Sequence, residues 1–128
     1  MNGIDIMSIH DIFGTQFDYD VKTPNPSLGD QLHIFFKSPL MKNKVIDIVM
    51  EYHTTSKQTA VSWLKPEQTA FKKFPFMFTQ CEAIYCRSIL PIQDSPSVKF
   101  TYELQINTPR ALVAKASGNR TREAFTDN

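Results

Sequence analysis

A surplus of charge of either sign is missing from this sequence: fourteen Lys and Arg stand against thirteen Asp and Glu, for a formal net charge of +1. The charges do not gather into blocks, so neither nucleic acid nor an anionic membrane surface is favoured as a partner. Cysteine is scarce, with only Cys81 and Cys86, spaced C-x4-C. A structural zinc site takes about four ligands, commonly from two such pairs or a Cys/His set. The three histidines, His10, His33 and His53, do not stand at the i, i+4 spacing of a helical ligand pair. Two reduced thiols are therefore expected, as in a cytoplasmic protein. No apolar run approaches the ~18 residues that span a bilayer. No N-terminal stretch joins basic residues to an apolar core in the manner of a signal peptide.

Catalytic signatures are missing as well. The chain has no H-E-x-x-H, so the paired histidines and general-base Glu of a zinc protease are absent. It has neither a G-x-S-x-G elbow nor a G-x-x-x-x-G-K-[ST] phosphate loop. A small enzyme built on a Cys81 or Cys86 nucleophile with His53 as base is conceivable, but no spacing brings these residues together. Internal repeats and low-complexity tracts are absent too. Asn119-Arg-Thr121 matches the glycosylation pattern, which carries little weight without a secretory signal.

What is present is a chain of 128 residues, long enough to bury a core as one domain or part of one. It is rich in Phe (ten) and Pro (eight), which suits short strands and Pro-punctuated turns better than a helical bundle. Residues 3–13 read as a strand or two, with Ile4, Ile6, Ile9 and Ile12 prominent. Residues 16–22 alternate, Phe17, Tyr19 and Val21 against Asp18 and Asp20, and a Pro/Gly-rich turn over 23–30 follows. Residues 31–37 alternate again through Leu32, Ile34 and Phe36. Residues 44–54 form the longest strand candidate, and 98–108 a fourth through Phe100, Tyr102, Leu104 and Ile106. The fold class is all-β, an antiparallel sandwich. Residues 56–97 carry no period-2 pattern, and long irregular segments are often functional. Residues 83–90 suit one short helix, stopped by Pro91.

The informative segment is TQCEAIYCRSILPIQDSPSVK, residues 79–99. Gln80 and Glu82 bracket a small-residue position, and a carboxylate presented there can bind an amine, the group that marks a peptide's N-terminus. Arg87 and Asp94 are spaced to pair across the short helix and stiffen the loop. The blander reading treats Glu82 as a solvated loop acid and the other two as an ordinary structural ion pair.

This segment resembles the end of the N-terminal domain in zinc aminopeptidases: Q-x-E-A, then an Arg, then P-x-x-D-x-P and a Lys. Gln80, Glu82, Ala83, Arg87, Pro91, Asp94, Pro96 and Lys99 occupy those positions. The leukotriene A(4) hydrolase branch is similar also in the upstream stretch VSWLKPEQT, residues 61–69, and in the D-x-P-S-V-K run. The resemblance is strong over 54–109 and weak before that.

The resemblance implies a saddle-like β-domain, incomplete here, over residues 1–118, followed by a polar tail or truncated loop over 119–128. It implies that the loop reaches the active-site cleft of a neighbouring thermolysin-like domain. There Glu82 would hold the substrate's free amine, with Gln80 and Ala83 lining the same pocket. Arg87, Asp94 and Lys99 would be structural supports of the loop. Vertebrate leukotriene A(4) hydrolases have Gln where this chain has Glu82, and general aminopeptidases have Glu, which favours peptide trimming over epoxide hydrolysis. No cofactor is implied for this chain. Zinc would belong to the parent's catalytic domain, and that domain and a C-terminal helical domain would be the chain's partners, together with the peptide N-terminus. The chain also looks like a fragment, inactive alone, because the family's G-x-M-E-N and H-E-x-x-H motifs are absent. The alternative is a standalone non-catalytic β-module that uses the loop for protein interaction.

Overall fold

The computed structural model describes residues 3–122. Its regular elements are six strands and two short 3-10 turns: β1 (Ile4–His10), β2 (Asp18–Asn25), β3 (Gly29–Phe35), β4 (Val49–Thr54), β5 (Val61–Leu64) and β6 (Phe76–Thr79), with turns at Pro66–Gln68 and Cys86–Ser88. The strands pair antiparallel as three two-stranded sheets, β1 with β4, β2 with β3, and β5 with β6. The architecture is all-β with almost no helix.

The chain reverses between β1 and β2 at a turn built by Asp11, whose carboxylate accepts from the backbone N–H groups of Phe13 and Thr15 at 2.9 and 2.8 Å. Those two N–H groups would otherwise point unpaired into the bend, which is why an acidic residue suits the position. The Phe17 N–H then donates to the Ile9 carbonyl at 2.9 Å, laying the start of the second ribbon against β1. Ile9 is fully buried. β2 and β3 close around Asn25, whose side chain accepts from the Ser27 N–H, and Gly29 has φ +82°, left-handed backbone that glycine adopts without steric cost. Phe17 and Phe36 meet edge-on at the open end of that ribbon, 5.2 Å between ring centroids.

The segments read as strands account for β1 to β4, with three differences. β2 runs on to Asn25 and β3 starts at Gly29, so the turn expected over 23–30 narrows to 26–28. The long candidate over 44–54 is a strand only over Val49–Thr54, because its partner β1 ends opposite Val49 at His10 and turns away. The candidate over 98–108 forms no strand, and Phe100, Tyr102, Leu104 and Ile106 are all exposed. A strand is held by a ladder partner, and none of the described strands lies against this one. In the segment without alternation the structure contains β5 and β6, four residues each and paired from Val61↔Thr79 to Leu64↔Phe76. The short helix over 83–90 narrows to the single 3-10 turn Cys86–Ser88. Of the tail over 119–128, residues 119–122 have no regular structure and 123–128 lie outside the described residues.

The surface area is 11009 Å², whereas a folded monomer of this mass exposes about 6,900 Å². The excess is apolar in part: Phe71, Phe13 and Val45 are 92%, 87% and 85% exposed. Three two-stranded ribbons have too few inner faces to cover one another, and an isolated ribbon is marginal in water.

Candidate functional site

The segment singled out by its motif leaves β6 and lies against the chain just before β5. Two contacts place it, and both involve Ala60, which is buried. The Gln80 N–H donates to the Ala60 carbonyl at 2.8 Å, and the Ala60 N–H donates to Ser88 Oγ at 3.1 Å. Ser88 Oγ also accepts from the Thr59 N–H at 3.1 Å and donates to the Tyr85 carbonyl at 2.8 Å. This serine is 1% exposed, and its hydroxyl stands in for water at the buried Ala60 N–H. Sequence reasoning passed over Ser88, and the sequence holds no signal for it. A serine in a short turn looks the same whether its hydroxyl faces solvent or a neighbouring segment.

Between these two anchors the chain bulges outward over residues 81–86. Glu82, Ala83 and Gln80 are exposed there together, and the Glu82–Ala83 peptide bond is cis. Among the described residues the Glu82 carboxylate has no hydrogen-bond or ion-pair partner.

The thiols expected to be reduced are not free: Cys81 and Cys86 form a disulfide, with 4.6 Å between their Cα atoms. The expectation rested on compartment, which says nothing about local geometry. Here both stems of the loop return to one residue, and that return sets the two cysteines side by side. The same bond removes both sulfurs as zinc ligands. Among the described residues no group of three or more His, Cys, Asp or Glu gathers in a way that would hold a metal. His10, His33 and His53 lie on three different strands.

Arg87 and Asp94 meet. The guanidinium donates to the Asp94 carboxylate from Nε at 3.3 Å, to the Asp94 carbonyl from Nη2 at 2.6 Å, and to the Leu28 carbonyl from Nη1 at 2.9 Å. The Arg87 backbone N–H adds a fourth contact, to Asp94 Oδ2 at 2.9 Å. One side chain thus joins the loop, the segment after it and the tip of the β2–β3 ribbon. Lys99 is exposed and takes no part in this clamp. A shallow apolar cleft lined by Leu64, Phe71, Phe74 and Phe76 opens beyond the far end of the β5–β6 ribbon, away from Glu82.

Residues 3–128 match the family model described as the peptidase M1 N-terminal domain. Leucine aminopeptidase 2 of Emericella nidulans is 41% identical over 96 residues, covering 75% of this chain and 16% of that protein. Leucine aminopeptidase 2 of Aspergillus niger is 40% identical over 114 residues, covering 89% and 18%. Leukotriene A-4 hydrolase of Xenopus laevis is 38% identical over 110 residues, covering 86% and 18%. Among solved structures, native yeast LTA4 hydrolase is similar at TM-score 0.65 and 34% identity, over 75% of this chain and 14% of that one. The chain therefore spans less than a fifth of the length of the relatives it matches.

Proposed function

The chain belongs to the peptidase M1 N-terminal domain family, and from that premise we propose that it carries the substrate-amine loop of a zinc aminopeptidase of the leukotriene A(4) hydrolase type. The Glu82 carboxylate takes the free α-amine of a peptide in a charge-assisted contact, and Gln80 and Ala83 line the same pocket. Arg87 and Asp94 support the loop, and Lys99 stands outside that clamp at the start of the next segment. The observation that carries this reading is the pairing of an exposed, unpartnered carboxylate with a loop pinned on both sides to Ala60. A carboxylate held in place in this way positions the first peptide bond by proximity and transfers no proton. Glutamate at this position favours peptides over a lipid epoxide as the substrate.

Hydrolysis belongs to a catalytic domain beyond this chain, where zinc supplies the Lewis acid. The large exposed apolar surface supports docking of this domain against that catalytic domain and a C-terminal helical domain, and it speaks against a standalone module. Among the described residues no helix is long and apolar enough to cross a membrane. The compartment we assign to the parent is the cytoplasm.

The test is Glu82→Ala in the complete enzyme. A charge-assisted hydrogen bond contributes about 1.5–3 kcal/mol, so kcat/KM for peptides with a free N-terminus should fall about 10- to 150-fold. Substrates with a blocked amine should lose far less. Equal loss for both kinds of substrate overturns the assignment.

A further inference from the structure

The disulfide encloses four residues, Glu82 to Tyr85, and so rings the carboxylate assigned above to the substrate amine. Its cysteines are half-buried at the base of an exposed loop, open on one side to solvent. One contact that closes the turn lies inside the ring, where the Tyr85 N–H donates to the Cys81 carbonyl at 2.8 Å, and two lie outside it. Gln80, immediately before Cys81, donates to the Ala60 carbonyl, and Ser88, two residues after Cys86, accepts from the Ala60 N–H. Both stems stay tied to one residue, Ala60, whether or not the sulfurs are bonded. The two thiols of a reduced loop would therefore remain neighbours, and closing the bond would be an intramolecular step between prepositioned partners.

We propose that Cys81 and Cys86 form a reversible thiol–disulfide site, exchanging with small dithiols and disulfides, whose state sets how firmly the Glu82 loop is held. The regulatory half of this proposal rests on the reading of Glu82 as the amine ligand; the exchange chemistry does not. In reduction, a thiolate of an external dithiol attacks one sulfur of the bridge, breaks the S–S bond and forms a mixed disulfide. The second thiol of the reductant then attacks the reductant's own sulfur in that mixed disulfide, breaks its S–S bond and releases the protein sulfur still bound there as a thiol. Two electrons and two protons pass to the cysteine pair, and the reductant leaves as its own disulfide. Oxidation runs in reverse, with a disulfide such as oxidised glutathione as the electron acceptor. In a reducing compartment, protein disulfides are mostly transient or sensing rather than structural. The bridged loop presents Glu82 from a closed ring. The reduced loop keeps its two stems and the Tyr85 N–H bond to the Cys81 carbonyl but loses the covalent closure.

The experiment equilibrates the full chain in glutathione buffers of graded reduced-to-oxidised ratio, then alkylates with iodoacetamide and weighs the product. The expected result is a reversible two-electron transition between no alkylated cysteines and two, in a monomer. Hydrogen exchange at the Tyr85 amide, inside the ring, should rise about tenfold or more on reduction, while Gln80, outside it, changes less than about threefold. The Cys81→Ser/Cys86→Ser chain should match the reduced wild type, and if that variant fails to fold, the chemically reduced wild type supplies the same comparison. Two alkylated cysteines in every buffer, a bond formed only between two chains, or an unchanged Tyr85 amide would each overturn the proposal. In the complete enzyme, reduction should raise KM for amine-bearing peptides several-fold and leave the double-serine variant unmoved. A transition without that KM change removes the regulatory half. A failure of Glu82→Ala to discriminate substrates removes the amine assignment and leaves the exchange site standing.

Discussion

Replacing Arg87 with alanine deletes three hydrogen bonds at once, to the Asp94 carboxylate, the Asp94 carbonyl and the Leu28 carbonyl. Charge-assisted bonds contribute about 1.5–3 kcal/mol each, but bonds sharing one donor group are not additive. Removing one partner of a fully buried ion pair costs about 3–5 kcal/mol. The Arg87 and Asp94 side chains are 24% and 11% exposed, so water recovers part of that. The Asp94 carboxylate also keeps the Arg87 backbone N–H. These corrections bring the cost to about 3 kcal/mol, or roughly a 150-fold change in the opening equilibrium of the loop. Amide hydrogen exchange at Arg87 and Ser88 reads that equilibrium directly. Arg87→Lys should recover about half, because an ammonium restores charge but cannot reach three acceptors in a fixed fork. Asp94→Ala should resemble Arg87→Ala, and the double variant should cost about as much as either alone. An increase below about threefold, or a double variant equal to the sum of the singles, would refute the clamp as the element that holds the loop.

Ser88→Ala strands the buried Ala60 N–H without an acceptor, while the part-buried Thr59 N–H can turn to water, and should destabilise the chain by about 1–3 kcal/mol in urea unfolding. Asp11 titrates below its ordinary value of 3.8, chiefly because the Thr15 backbone N–H bonds its carboxylate. Its support of the β1–β2 turn is therefore present above the unfolded value and lost as pH falls through the folded one, which a carboxyl NMR titration of Asp11 against an unfolded peptide will show. The isolated chain should bind a hydrophobic dye and associate as its concentration rises, because its apolar faces lack cover. A dye-silent monomer at high concentration would contradict that.

Strands β2, β3 and β4 were legible because each alternates over enough residues for a period of two to stand out, whereas β1, which slips register between Ile6 and Ser8, was marked only by its isoleucines. β5 and β6 were not. Val61–Leu64 and Phe76–Thr79 are too short, and Phe76, Met77 and Phe78 are consecutive apolar residues that hide any alternation. The opposite error occurred at Phe100 to Ile106, where the pattern is clean and the strand is missing. Alternation states that one face wants cover, and it is silent on which segment supplies the ladder. At the loop, Gln80, Glu82 and Ala83 were found through a motif and not through their own physical character, since an exposed glutamate has no distinguishing neighbours. The disulfide and the Ser88 anchor were invisible for a related reason. Both depend on Ala60, twenty residues or more away along the chain, and alanine gives no hint that its peptide group is the meeting point.

The convergence on Ala60 also separates two lengths of chain that look continuous. The β5–β6 ribbon closes upon itself from Val61↔Thr79 outward, so everything from Lys65 to Pro75 hangs beyond a base that is already fixed. Residues added to or removed from that far connection act on its own bonds, such as Lys65 N–H to Gln68 Oε1 and Thr69 Oγ1 to the Phe74 carbonyl, and on a loop entropy that changes slowly with length. They leave Gln80 and Glu82 where they are. The ribbon tip is thus the site at which a tag, a label or an evolutionary insertion can be carried without disturbing the carboxylate, while a single residue inserted between Ala60 and Val61 would shift its reference point.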